Sequence, residues 1–247
     1  MKRLLLILLV VGLIACLLVG CNVVPPTEGE GEGEGEEEVS RVVMVEVFTQ
    51  SGCPHCAEVE PILEQLAEEY SREEIVLVEE RAYGAYSLDE IRERYYWYFP
   101  SIADRDTPNI LFNGFNTTHL GVSTYATIKS KIDGELGKEA KIKITAQRNT
   151  EATSSTVSGT VTNISSSDLS NLVVTLMTYK DRGEQGVRYS VTNILTEEIG
   201  SLTSSGTYAF SFTVDEEPYW VVNDHGAVLV QETATSKKEV LQVLDVE

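Results

Sequence analysis

The stretch RVVMVEVFTQSGCPHCAEVEPILEQLAEEY, residues 41–70, constrains this chain more than any other. Its first nine residues are rich in β-branched side chains, which suits a strand buried on both faces. From Cys53 the period changes. Val59, Ile62, Leu63 and Leu66 recur at spacings of three and four with charges between them, the pattern of a half-buried helix. Pro54 fits the first helical turn, where its missing N–H costs nothing; Pro61 sits deeper and predicts a kink. A strand turning directly into a helix at Cys53 puts a thiol where unpaired N–H groups and the helix dipole favour the thiolate. Cys56, one turn later, is expected to be the more buried thiol and to resolve a mixed disulfide. His55 between them would add positive potential when protonated.

The compartment bears on what such a pair does. Lys2 and Arg3 precede an apolar run from Leu4 to Val19, which reads as a signal segment over residues 1–20. The run is shorter than the ~20 residues that span a bilayer. Leu18-Val19-Gly20-Cys21 resembles the bacterial lipobox, which implies that Cys21 is acylated and becomes the mature N-terminus. Cys16 falls within the signal segment, so of four cysteines only Cys53 and Cys56 remain as thiols in an exported chain. Any intrachain disulfide there joins these two. Zinc is the rival occupant, but a structural site wants four ligands and His55, His119 and His225 are scattered. A static staple is the other, and it gains little from closing so short a loop. Neither a metal nor a bound cofactor is expected, because electrons would travel on the cysteines.

Residues 21–38 read as a lipidated N-terminus and an acidic linker, with seven glutamates interleaved with glycines that oppose collapse. The net charge of −20 argues against a nucleic-acid partner. Further strands are expected at 75–78 and 109–112, the latter closed by Asn113-Gly114, with helices at 88–99 and from a Ser123 cap to about 136. The aromatic run Tyr95–Phe99 suits core packing more than a wall for client chains. From about Ala140 serine and threonine become dense. Short strands at 141–146, 156–163, 172–179, 208–214 and 227–232 predict an antiparallel sandwich with Tyr219 and Trp220 in its core. His119 and His225 are expected in loops. Asn116 and Asn163 head glycosylation-type triplets, discounted beside a bacterial lipobox.

The segment CPHCAEVEPILEQLAEEY resembles the active-site helix of the thioredoxin family, down to Pro61 eight residues after Cys53. The Pro-His dipeptide is similar to that of the DsbA group of thiol oxidants. Thr107-Pro108 before a strand resembles the family's cis-proline element, which faces the active-site disulfide. Two departures stand out: Gly52 replaces an aromatic residue, and Glu46 lies seven residues before Cys53 where the family's buried acid lies six before. In a regular strand that odd offset turns Glu46 to the other face, unless the TQSG turn is irregular.

The resemblance implies an α/β thioredoxin-like domain over 39–138, followed by an all-β Ig-like sandwich over 139–247. The sandwich resembles FxLYD and CARDB modules through VTNISSSDLSNLVVTLMTY, and the whole arrangement is similar to Omp28-related outer-membrane proteins. The implied activity is thiol–disulfide exchange with exported protein substrates, lipid-anchored to the membrane on the extracytoplasmic side and served by an external redox partner. Cys53 would be the nucleophile, Cys56 the resolving thiol and Glu46 the proton acceptor. Pro108 would shape the groove, while Pro54 and His55 favour an oxidant or isomerase over a reductant. The alternative is a non-catalytic surface lipoprotein that uses a thioredoxin-like scaffold for binding or assembly.

Overall fold

The computed structural model of the protein describes residues 39–151, 153–182, 188–215 and 224–247. The signal segment, Cys21, the acidic linker, Tyr219 and Trp220 lie outside the described residues. Within them the first elements follow the sequence pattern: β1 (Val43–Gln50), α1 (Pro54–Glu69), β2 (Ile75–Tyr83), α2 (Asp89–Tyr98), β3 (Asn109–Phe112), β4 (Thr117–Leu120) and α3 (Tyr125–Leu136). Seven further strands follow: β5 (Ile142–Thr150), β6 (Ser155–Asn163), β7 (Leu169–Lys180), β8 (Ser190–Leu202), β9 (Thr207–Val214), β10 (His225–Glu232) and β11 (Val240–Val246). Sequence reading missed β4, β8 and β11, which are polar at one end or too short to show a clear alternation. Pro61 lies inside α1, and α3 is capped by Thr124, one residue past the expected Ser123.

The expected fold class, a thioredoxin-like α/β domain with a separate Ig-like sandwich behind it, is overturned by the sheet order. One mixed eight-stranded sheet runs β11-β10-β7-β8-β2-β1-β3-β4, and only β5, β6 and β9 form a second, three-stranded sheet. Val39–Glu247 is a single compact unit. The joint is narrow: β2 meets β8 in parallel at Glu79 and Ser190, and the Glu79 N–H donates to the Tyr189 carbonyl at 2.8 Å. Packing carries the rest. Met44, Val76, Val78 and Ile91 share one core with Met177, Tyr179, Val191, Ala227 and Leu229. Arg41 donates to the carbonyls of Val240 and Leu241, and Asn113 bonds both Met44 and Val240. The burial of β7 and β10 gives the reason. Neither strand alternates between buried and exposed along these stretches: Val174–Tyr179 and Gly226–Gln231 are buried without a break, as central strands covered on both faces must be. The exposed-buried alternation of a sandwich survives in β9.

Two glycines fix the connections around the first half. Gly114, with φ +73°, turns β3 toward β4 so tightly against the Lys238 carbonyl that a Cβ would lie 2.0 Å from its oxygen. Gly84, with φ +91°, leaves β2 directly against Ser51 in the turn before Cys53.

Candidate functional site

Cys53 is the N-cap of α1 and Pro54 its first residue, so the helix begins on the sulfur. The Cys56 N–H donates to Cys53 Sγ at 3.1 Å, which satisfies one of the donors a helix start leaves unpaired. Cys53 and Cys56 form a disulfide, their Cα atoms 5.3 Å apart. Thr107 closes the other side: its Oγ1 and its carbonyl oxygen each lie 3.5 Å from Cys53 Sγ. The Thr107–Pro108 peptide is cis, and Pro108 is buried with its carbonyl accepting the Gly121 N–H. Cys53, Cys56, Pro54 and Pro108 thus converge. Contrary to expectation, Cys53 is the buried sulfur residue and Cys56 is only half-buried, because Thr107 and Pro108 cover the cap while the first turn faces a pocket. His55 points outward, its side chain 66% exposed and Nδ1 3.4 Å from Glu58 of the next turn.

Glu46 is not in this constellation. It is fully buried on the face shared by Met44 and Phe48, whereas α1 packs on the face of Val43, Val45 and Val47. The odd offset from Cys53 turns it away, and the register shift between Thr49 and Gln50 does not reverse that. Glu46 accepts from Arg94 Nε at 2.6 Å and from the Tyr98 hydroxyl at 2.9 Å. Arg94 also reaches Gln231 at 3.1 Å, and Glu80 lies 3.9 Å away. Burial works against the charge of Arg94, but Glu46, Tyr98 and Glu80 outweigh it and raise its pKa. Burial first and Glu46 second push the Glu80 carboxyl well above the usual range. The aromatic run closes this network: Tyr95, Tyr98 and Phe99 are core residues, while Tyr96 is exposed.

Two charged residues beside the cysteines, Glu60 and Arg81, and a buried third on β2, Glu79, escaped the sequence reading. A pocket of about 160 Å³ opens on Cys53 and Cys56 and is walled by Gly52, Glu60 and Arg81. Glu60 is half-buried, and burial followed by Glu64 raises its pKa against the opposing Arg81. Glu79 lies on β2 beside Val47, only 3% exposed, and its Oε2 has no hydrogen-bond partner. Burial, then Glu60, pushes its pKa up to about 8. The available signal was Glu79-Glu80-Arg81 in a strand otherwise apolar at its start: three consecutive charges in a central strand must bury at least one.

His119 lies within β4 and His225 opens β10, so neither sits in the expected loop. His225, Asp245 and Glu247 bring possible ligand atoms within 4.8 Å of one another. Arg72 already fills that place, against His225 Nδ1 and 3.1 Å from Asp245. Asn163 is a structural residue, its buried amide donating to the carbonyls of Ser167, Leu202 and Thr203.

No protein-family model matches the chain, and no curated protein does. Solved structures do. HBP35 of Porphyromonas gingivalis superposes with a TM-score of 0.66 at 14% identity, over 84% of this chain and 75% of that one. Protein AGR_C_4864 from Agrobacterium tumefaciens superposes at 0.56 and 16% identity, over 85% of this chain and 95% of that one. These likenesses extend through both halves of the sheet and bear on the fold alone. A domain of the outer membrane lipoprotein Omp28 from Porphyromonas gingivalis is also similar, at 16% identity over 44% of this chain and 88% of that one. Its TM-score of 0.31 is too low to carry an argument.

Proposed function

We propose that the protein is a thiol–disulfide oxidoreductase with a thioredoxin-type Cys-Pro-His-Cys active site, acting on exported protein thiols and disulfides. The observation that carries this is the setting of Cys53 Sγ. It caps a helix, receives the Cys56 N–H at 3.1 Å and lies 3.5 Å from the Thr107 hydroxyl. Each donor favours a thiolate at Cys53 once the disulfide opens, and a stabilised thiolate is both a nucleophile and a good leaving group. Attack of a substrate thiolate on Cys53 gives a mixed disulfide, and Cys56, one turn away, is placed to resolve it. Pro108 follows Thr107 through the cis bond, and the pocket that opens on both cysteines is the approach for a substrate sulfur.

The apolar run of residues 4–19 and Cys21 support an extracytoplasmic, lipid-anchored location. Among the described residues no helix is long and apolar enough to cross a membrane. An external redox partner is required, since no second cysteine pair follows in the chain.

The test is the midpoint potential of the full-length protein equilibrated against glutathione, combined with capture of substrate on Cys56→Ser. A potential of about −120 to −180 mV marks a disulfide donor or isomerase, and about −270 mV or below a reductant. A pair that neither cycles nor captures protein thiols overturns the proposal in favour of a non-catalytic scaffold.

A further inference from the structure

We propose that Glu60 and Glu79 together form a proton store for Cys56, supplied from α1 and β2 rather than from β1. The inference rests on the oxidoreductase reading and assigns two residues to it. Glu60 lies four residues after Cys56, on the same helical face, and lines the same pocket as both cysteines. Glu79 lies on β2 two residues before Arg81, which lines that pocket too. Side chains alternate along β2, so Ile75 and Leu77, which pack under α1, place Glu79 and Arg81 on that face too. The other acids of α1 nearby are engaged or turned away: Glu64 lies 3.1 Å from Arg188, and Glu58 lies in the exposed pair with His55.

Glu79 is a buried carboxyl with an oxygen that has no hydrogen-bond partner, a costly arrangement unless the group holds a proton. The groups that face it are Glu60 and Glu64 from α1, Arg81 from its own strand, and Asp181 beyond β7. Tyr189, the residue before β8 and next to Arg188, accepts the Glu79 N–H through its carbonyl. Around Glu79 Arg81 opposes Glu60, Glu64 and Asp181, of which Glu64 is already paired with Arg188, and Arg81 also shares in holding Ser51 at 3.3 Å. The proton therefore stays on the Glu60–Glu79 pair while the disulfide is closed.

Opening the disulfide uses it. A substrate thiolate attacks Cys53 Sγ, the Cys53–Cys56 bond breaks, and its electron pair leaves on Cys56 as a thiolate. Glu60 gives that thiolate its proton, and Glu79 replaces the proton on Glu60. A second substrate thiolate then displaces Cys53, so the substrate dithiol is oxidised and the cysteine pair reduced by two electrons. In the reverse direction Cys56 returns its proton to the carboxylates as its sulfur attacks Cys53, and the substrate leaves with the electron pair.

The experiment uses full-length protein. Iodoacetamide alkylation of Cys56 is followed from pH 5 to 10 in a Cys53→Ser background, alone and with Glu60→Gln or Glu79→Gln. Opening of the intact disulfide by a reduced, unfolded protein is timed in parallel at each pH. Either glutamine variant is expected to lower the midpoint of Cys56 ionisation by about 1 pH unit, through loss of a neighbouring negative charge. It is also expected to slow opening at pH 7 about a hundredfold. Glu79→Asp should restore part of the profile. Coinciding profiles for parent, Glu60→Gln and Glu79→Gln overturn the store alone. A parent protein whose pair exchanges at no pH overturns the oxidoreductase reading and the store with it. Should Glu79→Gln fail to fold, the half-buried Glu60→Gln decides the matter.

Discussion

Arg94 Nε lies 2.6 Å from Glu46 Oε1, and the pair is sealed beneath α2 on the side of the sheet away from Cys53 and Cys56. Its role is structural. Removing the guanidinium would leave Glu46 and Glu80 as two buried acids without a counter-charge. Arg94→Met is expected to destabilise the fold by about 3–5 kcal/mol, as loss of one partner from a buried ion pair does. Urea denaturation measures this; a cost within experimental error would mean the pair contributes nothing. Thiol reactivity of the folded variant should keep its parent pH profile.

The Thr107 hydroxyl is the one side-chain donor beside Cys53 Sγ among the described residues. Thr107→Val keeps the shape and removes it. A hydrogen bond of about 1 kcal/mol corresponds to about a fivefold loss of Cys53 alkylation rate at pH 6, where thiolate is scarce. An unchanged rate would leave the Cys56 N–H and the helix start as the source of thiolate stabilisation.

Glu79 makes stability depend on pH with a definite sign. Its folded pKa of about 8 lies above the ordinary 4.5, so the folded state binds more protons between those values. Its contribution to stability is therefore greatest below about pH 4.5 and is lost as pH rises through about 8. Glu79→Gln should flatten that slope and raise the urea midpoint more at pH 9 than at pH 5. Equal effects at both values would mean that Glu79 titrates alike in the folded and unfolded chains.

Gly84→Ala tests the turn that presents the cysteines. A Cβ there would sit 2.5 Å from Ser51 Cβ, and the backbone has φ +91°. Ser51 Oγ in turn accepts the Ala85 N–H at 2.9 Å. The substitution is expected to cost about 1–3 kcal/mol and to slow disulfide exchange by displacing the residues just before Cys53. Parent-like melting and exchange would show that the turn tolerates the shift.

The first half of the fold was legible because its signals are local. Period-two and period-3.6 patterns marked β1 and α1, and a cysteine followed by proline marked the helix start. Glu46, expected as the proton acceptor, lies instead on the far face, where its odd spacing from Cys53 puts it in a regular strand. What could not be read was partnership. Alternation announces a strand but not the sheet it joins, so β7 and β10 read as sandwich strands although their largely apolar runs, such as LVVTLMTY, suit strands covered on both sides. Glu60 and Glu79 were illegible for a related reason. Their nearness to Cys56 depends on how α1 lies over β2, which no spacing along the chain encodes.

The narrow joint between β2 and β8 has a mechanical consequence. Glu79 is both the residue that stitches the two halves of the large sheet to Ser190 and a carboxyl kept dry by that seam. A single bridge gives the seam almost no shear strength of its own, so the two halves keep their register only while the shared core of Met44, Val76, Met177 and Ala227 holds.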